Sequence, residues 1–307
     1  NFADSVDSGS NPLTITADKL SLGGNVSGTG DLVIKTRTAG NEIELGKSVE
    51  NVSSSVLSLT DDKLSKIQDG FSNITFGDSN AGKVTVDSTT LSDNVKIQSG
   101  NDGIEIVDSL NVGTNSLTLE STGAVTDTNS GSVTASSLAL AGSGSFTLDN
   151  ENNDVDTLAA GTSSSKVGAV TFVDKDEVNI TDVSGQSGVN SSGDIDISTL
   201  TGNITLSSSI ATTSATNTAV TLNAGKSQAA GTSTGGDIIR TGNPSISVGS
   251  GGRSTLYTGS ISGSSSLRYF IGNGSGKFRY NSDESTTNYT SALGAGNYLV
   301  YREKPIL

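Results

Sequence analysis

The chain has 307 residues, of which only 32% are hydrophobic and 4% aromatic, and its formal net charge at pH 7 is −14. So few apolar residues exclude a large conventional globular core, and the acidic balance disfavours nucleic acid and anionic lipid as partners. Cys, Met, Trp and His are all absent, which removes thiol nucleophiles, the usual zinc and haem ligands, and the imidazole used in most acid–base catalysis.

Short apolar triplets begin near the N-terminus and predict the first strands. Because residues i and i+2 of a strand share a face, each triplet buries two side chains and turns its middle residue outward. Glycine-rich turns separate them. Residues 61–70 are predicted to form a loop excursion or a short helical turn, since Leu64 and Ile67 lie three residues apart. The N-terminal triplets are Leu13-Thr-Ile15, Leu20-Ser-Leu22, Leu32-Val-Ile34, Ile43-Glu-Leu45 and Leu57-Ser-Leu59.

Residues 73–106 show the pattern most clearly. Thr75, Thr85, Lys96 and Glu105 are the middle residues of four successive triplets and are predicted to face outward. The four triplets are Ile74-Thr-Phe76, Val84-Thr-Val86, Val95-Lys-Ile97 and Ile104-Glu-Ile106. The later triplets are Leu117-Thr-Leu119, Leu138-Ala-Leu140, Phe146-Thr-Leu148, Val170-Thr-Phe172, Val178-Asn-Ile180, Ile195-Asp-Ile197, Ile204-Thr-Leu206, Val220-Thr-Leu222 and Ile246-Ser-Val248.

The spacing of the triplets predicts a solenoid. Equivalent triplets begin at positions 74, 95, 117 and 138, and again at 170, 195, 220 and 246, so the repeat is roughly 20–26 residues long with two or three strands per turn. The Leu-x-x-Leu-x-Leu pattern of leucine-rich repeats is missing, and the longer antiparallel blades of a propeller are missing too. The predicted fold is therefore an all-β, right-handed parallel β-helix, with residues 1–240 forming the rod.

Residues 241–307 are predicted to form the final coils and a C-terminal cap or junction module. All six tyrosines lie between Tyr257 and Tyr301, and residues 240–307 carry +4 whereas residues 1–239 carry −18. Residues 266–271, 277–280 and 297–301 are interpreted as longer strands. The end of a solenoid exposes strand edges that need covering. Core and cap packing is therefore the favoured role of the aromatic residues, and a sugar-stacking platform is the alternative.

Neighbouring carboxylates are the main candidates for catalysis, because many β-helical polysaccharide lyases and glycosidases carry carboxylates on an outer face. Strand alternation around Ile195 and Ile43, however, places the flanking carboxylates on the solvated face. The sequence thus predicts no catalytic residue. The carboxylates that alternation assigns to the solvated face are Asp194, Asp196, Glu42 and Glu44, and the other clustered carboxylates are Asp154 with Asp156, and Asp174 with Asp176 and Glu177.

The segments that come nearest to cofactor and metal motifs lack residues that those motifs require. Gly46-Lys47-Ser48 and Gly225-Lys226-Ser227 lack the glycine five positions before the Gly-Lys pair that a phosphate loop requires. Residues 173–178, Val-Asp-Lys-Asp-Glu-Val, lack the glycine of an EF-hand and the Gly-rich calcium nonapeptide, so they are interpreted as a solvated loop. Weak calcium binding near Asp174 stays open. The sequence predicts no cofactor and no dedicated metal site.

Several passages carry a family resemblance. They include Phe76-Gly-Asp-Ser-Asn-Ala-Gly-Lys-Val-Thr-Val86, Leu117-Thr-Leu-Glu-Ser-Thr-Gly-Ala-Val-Thr126 and, in the tail, Lys277-Phe-Arg-Tyr-Asn-Ser-Asp283 and Tyr298-Leu-Val-Tyr-Arg-Glu-Lys-Pro305. Together with the order of the blocks over residues 70–305, these passages resemble the filamentous-haemagglutinin-type secreted adhesins of Gram-negative bacteria, which are exported by two-partner secretion. The N-terminal secretion domain of that family is not recognisable.

The resemblance implies an extracellular surface or biofilm-matrix adhesin, a rigid rod that mediates attachment without catalysis. It implies glycan or protein receptors, an outer-membrane secretion partner and lateral or end-to-end contacts between copies, with no nucleic acid. The absence of oxidisable sulfur residues is consistent with export, and a chain that begins at Asn1 rather than Met is expected to be a processed or excised piece. A β-helical polysaccharide-degrading enzyme and a structural subunit of a self-assembled filament are the alternatives.

Overall fold

The computed structural model describes residues 2–306 and shows an all-β chain of parallel, stacked sheets. The fold is a β-solenoid of about 13 turns, as the triplet spacing predicts. The chain divides into two compact units, Asn1–Asn150 and Glu151–Leu307, which are described separately.

Unit 1 consists of short strands and one helical turn. Its elements are β1 (Val6–Asp7), β2 (Leu13–Thr16), β3 (Val26–Ser27), β4 (Asp31–Lys35), β5 (Glu42–Leu45), β6 (Val56–Leu59), α1 (Asp61–Leu64), β7 (Asn73–Gly77), β8 (Val84–Val86), β9 (Thr89–Thr90), β10 (Val95–Ser99), β11 (Ile104–Ile106), β12 (Ser109–Ser121), β13 (Val125–Asp127), β14 (Ser132–Ala141) and β15 (Phe146–Leu148).

Two parallel sheets of unit 1 carry the triplets, one in the order β2-β4-β7-β10-β12-β14 and the other in the order β6-β5-β8-β11-β13-β15. Val95 pairs with Ile74 on one side and with Leu117 on the other, and Leu117 pairs with Leu138. The predicted repeat through positions 74, 95, 117 and 138 is confirmed. Each apolar pair therefore stacks on its equivalent in the next turn and forms a buried ladder.

The triplets of residues 73–106 have the predicted two-faced character. Their eight apolar residues are at most 3% exposed, and the middle residues Thr75, Thr85, Lys96 and Glu105 are half-buried on the outer side. Glycines close the turns between the strands: a Cβ added to Gly144 would overlap the carbonyl oxygen of Gly123 in the turn below. Successive turns stack this closely because those positions lack side chains.

Unit 1 also holds strand segments outside the predicted triplets. Leu110 and Val112 of β12 and Val133 of β14 are at most 1% exposed, and Leu110 pairs with Val133. Leu110-Asn-Val112 has the same apolar alternation as the recognised triplets, so the signal was present in the sequence. Residues 61–70 begin with the single turn α1, in which Leu64 is buried.

Unit 2 also consists of short strands, together with a short helix. Its elements are β16 (Asp154–Ala160), β17 (Val170–Asp174), β18 (Val178–Ile180), β19 (Asp182–Val183), β20 (Gln186–Ser187), β21 (Val189–Ser191), β22 (Ile195–Thr199), β23 (Ile204–Leu206), β24 (Ile210–Thr212), β25 (Val220–Ala224), β26 (Ile238–Arg240), β27 (Ile246–Ser247), β28 (Arg253–Thr258), α2 (Leu267–Ile271), β29 (Phe278–Arg279) and β30 (Gly296–Tyr301).

The main ladder of unit 2 runs in the order β17-β22-β25-β28-β30-β29. Val170 pairs with Ile195 and Ile195 with Val220, as the spacing predicts. The next predicted step, from Val220 to Ile246, is wrong. Val220 pairs with Ser254, whereas Ile246 pairs with Ile210 in a different column of strands. Residues 225–237 form an irregular segment between β25 and β26, which lengthens this turn and displaces the later triplets from the regular period.

The strand predicted at residues 266–271 is also wrong, because residues 267–271 form helix α2. Strand alternation would place Leu267, Tyr269 and Ile271 on one face. In the structure Leu267 and Ile271 are buried while Tyr269 is 86% exposed, which is the i, i+4 spacing of a helix. At residues 277–280 the strand is limited to β29, and the predicted strand at 297–301 is confirmed as part of β30.

The ladders of unit 2 extend past residue 240, since β28 and β30 pair in parallel beyond it. A cap or junction module after residue 240 stays a prediction. Among residues 2–306, no helix is both long enough and apolar enough to cross a membrane.

Candidate functional site

Asp174 lies at the end of β17 and is fully buried. Its two carboxyl oxygens accept hydrogen bonds from the amides of Val155 and Asp176, each at 3.0 Å. Burial raises the pKa of Asp174 to about 7, although these amide hydrogen bonds act to lower it. The prediction of a solvated loop at residues 173–178 is therefore wrong for Asp174, because β17 extends to this residue and its side chain is enclosed. A carboxyl group enclosed in this way is out of reach of an extended polysaccharide.

The neighbouring carboxylates do not form an open catalytic pair. Asp154 is bound to Lys175, with 2.9 Å between its Oδ2 and the Nζ atom, and Asp176 accepts the amide hydrogen bond of Glu177 at 2.8 Å. Within residues 2–306, no group of three or more Asp, Glu, His or Cys side chains is arranged to hold a metal ion.

Asp194 is held by hydroxyl groups from the following turn. Ser214, Thr216 and Thr218 donate hydrogen bonds to its carboxylate, with 2.9 Å from Thr216 Oγ1 and 2.8 Å from Thr218 Oγ1. Burial acts to raise the pKa of Asp194, but the three hydroxyl groups outweigh it and lower the pKa. Asp194 is thus a structural acceptor that stays ionised, and Asp196 is exposed as alternation predicts.

We expect Asp194→Ala to lower the unfolding free energy by about 1–3 kcal/mol at pH 7, because three hydroxyl donors lose an ionised acceptor. Since the folded-state pKa is depressed, the carboxylate stabilises the protein above its ordinary pKa, and this contribution is lost as the pH falls through the folded-state value. Chemical unfolding followed by circular dichroism at pH 7 and at pH 3 measures the effect. Equal losses at the two pH values would contradict the assignment.

Glu44 is another departure from the predicted solvated face, because it is only 7% exposed. Residues 46–55 fold back over β5, and Glu44 Oε1 accepts hydrogen bonds from Lys47 Nζ at 2.9 Å and from Asn51 Nδ2 at 3.1 Å. Strand alternation gives the side of the strand on which a side chain lies, but not whether a loop covers that side. The contacts of Glu44 are therefore structural.

A small cleft in unit 2 gathers aromatic and polar side chains. We call it the tyrosine cleft; it has a volume of about 160 Å³ and is lined by Ile261, Arg268, Asn273, Gly274, Phe278, Tyr280 and Tyr301.

The two tyrosines of the cleft are stacked, with ring centroids 5.3 Å apart and planes 7° from parallel. The pairing of β29 with β30 explains the stack. Phe278 pairs with Leu299 and Arg279 with Val300, so the next residues on the two chains, Tyr280 and Tyr301, meet side by side at the spacing of neighbouring strands. Tyr301 is 1% exposed and Tyr280 is 39% exposed, so Tyr301 supports the ring that solvent reaches.

Two polar groups of the cleft have no protein partner within residues 2–306. The Tyr301 hydroxyl is buried without a hydrogen bond. Burial raises the pKa of Tyr301 to about 12, so this hydroxyl remains a donor. Arg268 is exposed on the short helix α2, and its guanidinium forms no ion pair, side-chain hydrogen bond or cation–π contact in the described part of the chain.

Other cations near the cleft are already engaged. Lys277 Nζ lies 4.2 Å from the centroid of the Tyr298 ring and 3.1 Å from its hydroxyl oxygen. The Arg279 guanidinium lies 5.1 Å from the Tyr289 ring centroid and 5.4 Å from that of Tyr298. These cation–π contacts hold the segment together and, among residues 2–306, leave Arg268 as the free cation of the tyrosine cleft.

No family model, curated protein or solved structure matches the chain. The resemblance to filamentous-haemagglutinin-type adhesins therefore stays a prediction.

The sequence indicated the aromatic character of the tyrosine cleft but not its construction. Tyr298 and Tyr301 are buried while Tyr269 and Tyr280 are exposed, and the sugar-stacking alternative stays a prediction. Arg268 is not apparent as a site residue from the sequence, because residues 266–271 read as a strand rather than as the helix that carries it. The i, i+4 pair of Leu267 and Ile271 was the available signal.

Proposed function

We propose that the chain is an extracellular surface or biofilm-matrix adhesin whose β-solenoid displays binding surfaces to glycan or protein receptors without catalysing a reaction. The tyrosine cleft carries this proposal, because it combines the exposed ring of Tyr280, the unpaired guanidinium of Arg268 and the exposed amide of Asn273. Aromatic lining with a few well-placed polar groups is typical of binding sites. Extracellular location and an outer-membrane secretion partner belong to the same proposal through the sequence resemblance.

The state of the carboxylates favours this proposal over a polysaccharide-degrading enzyme. A glycosidase needs two substrate-facing carboxyl groups, one of which has a raised pKa. Asp174 has a raised pKa but is fully buried, Asp194 is held by three hydroxyl groups, and Asp154 is paired with Lys175. Desolvation also raises the pKa of Asp196, but the residues in register with it on the two adjacent strands are Thr171 and Thr221 rather than carboxylates. These candidates therefore do not form a pair of substrate-facing carboxyl groups.

Attachment is tested by coating beads with the purified chain and measuring their retention on bacterial cells, epithelial cells and polysaccharide-coated glass. Because many copies act together on each bead, weak individual contacts are expected to give retention well above that of albumin-coated beads. In parallel, the free protein is incubated with alginate, pectin and host glycans, and released sugar ends are quantified. If sugar ends are released and Asp174→Ala or Asp194→Ala abolishes that release, the adhesin proposal gives way to the polysaccharide-degrading enzyme. Ordered fibres without retention, seen by electron microscopy, would favour a filament subunit.

A further inference from the structure

We infer that the tyrosine cleft binds a single acidic sugar ring, a pyranose bearing a carboxylate, with the carboxylate on Arg268 and the ring against Tyr280. This inference rests on the proposed binding function and names the chemical class of its ligand. It follows from the size of the cleft, from the groups that lack a partner and from the distribution of charge.

The size of the cleft limits the ligand to one ring. Its volume of about 160 Å³ is well below the roughly 300–1,000 Å³ of pockets that enclose drug-sized ligands. The aromatic rings of Phe278 and Tyr280 supply an apolar wall, which is suited to the C–H face of a pyranose. A longer glycan would occupy the cleft with one residue and extend from it into solvent.

The polar groups of the cleft match the edge of such a ring. The exposed Asn273 amide offers both a donor and an acceptor to ring hydroxyls. A sugar, unlike an apolar ligand, can hydrogen-bond to both the Asn273 amide and the Arg268 guanidinium, whereas the enclosed Tyr301 hydroxyl is closed to it.

Arg268 selects an acidic sugar over a neutral one. Its guanidinium has no partner in residues 2–306, and a guanidinium binds a carboxylate through two parallel, charge-assisted hydrogen bonds. Glu303 lies close to the cleft, where its Oε2 accepts the hydrogen bond of the Ile261 amide at 2.6 Å. Lys277 and Arg279 lie against tyrosine rings, so Arg268 is the group of the cleft that is left to bind an anion.

The inference is tested by saturation-transfer difference NMR and titration of the intact chain with D-glucuronate and with D-glucose. We expect glucuronate to bind about tenfold more tightly than glucose, corresponding to one charge-assisted contact. Arg268→Gln is expected to reduce glucuronate affinity to the level of glucose and to leave glucose affinity unchanged. Lys304→Gln, which removes an exposed cation from the same segment, is the matched control and is expected to change glucuronate affinity less than twofold.

A second variant separates binding from folding. Tyr301→Phe retains the ring that stacks on Tyr280 and removes only the hydroxyl, so the fold is expected to persist, as monitored by circular dichroism. Both sugars should then bind as tightly as they bind the parent, because the enclosed hydroxyl does not contact the ligand. Equal affinity for the two sugars, unchanged affinity in Arg268→Gln or no binding of either sugar would overturn the inference. Retention of coated beads without glucuronate binding would overturn the inference and leave the adhesin proposal standing. Glucuronate binding without bead retention would support the inference and contradict the adhesin proposal.

Discussion

Replacing Phe76 with alanine is expected to lower the unfolding free energy of unit 1 by about 3–5 kcal/mol, the range for removing a fully buried aromatic side chain. Phe76 is 0% exposed and lies in one ladder between Ile34 and Ile97, its in-register neighbours on the two adjacent strands. The cavity would interrupt this column. Because each turn of a solenoid is stabilised by contacts with its neighbours, the loss affects three turns directly.

Guanidinium unfolding followed by circular dichroism measures the change, and Thr75→Ala provides the matched control. Thr75 is the half-buried outward residue beside Phe76, so its truncation should change stability by no more than about 0.5 kcal/mol. Hydrogen exchange adds a local measurement: protection should fall at β4, β7 and β10 and remain unchanged in unit 2. If Phe76→Ala and Thr75→Ala have equal effects, the proposed ladder does not determine stability.

Ladders of this kind explain why so much of the fold could be predicted from sequence. A period-2 apolar triplet specifies a strand with one buried face, and a regular interval between triplets specifies which strands pair. The prediction failed where that interval changed. At Ile246 a longer turn moved the triplet into another column of strands, and this could not be predicted because the irregular residues 225–237 contain no apolar pattern that would reveal their path.

The environments of individual polar residues were less predictable. Alternation indicates on which side of a strand a carboxylate lies. It does not indicate whether other segments enclose that side chain, as they do for Glu44 and Asp174. The stacked pair of Tyr280 and Tyr301 depends on the register between β29 and β30, which a two-residue strand does not specify in the sequence. The candidate site was therefore predictable as an aromatic, basic segment and not as a cleft.

Asp174 should make the stability of unit 2 dependent on pH between about 4 and 7. Its folded-state pKa is raised from the ordinary 3.8 to about 7, chiefly by burial, so the folded chain favours the protonated form. The resulting stability is fully present below pH 3.8 and is lost as the pH rises through the folded-state pKa. The two values correspond to a loss of about 4 kcal/mol once the pH exceeds 7. Nearby Asp176 and Asp154 contribute in the same direction, since both disfavour a further negative charge.

Asp174→Asn isolates this effect, because asparagine stays neutral throughout. The amide can accept only one of the two backbone N–H groups that the carboxyl accepts, so the variant should be less stable than the parent at pH 4. From pH 4 to pH 8 this deficit should shrink by up to about 4 kcal/mol, because only the parent has to ionise a buried group. The exposed Asp156 provides the matched control, Asp156→Asn. The remaining titrating groups are common to all three proteins. If the curves of unfolding free energy against pH are parallel for the two variants, Asp174 is not the buried group that causes the pH dependence.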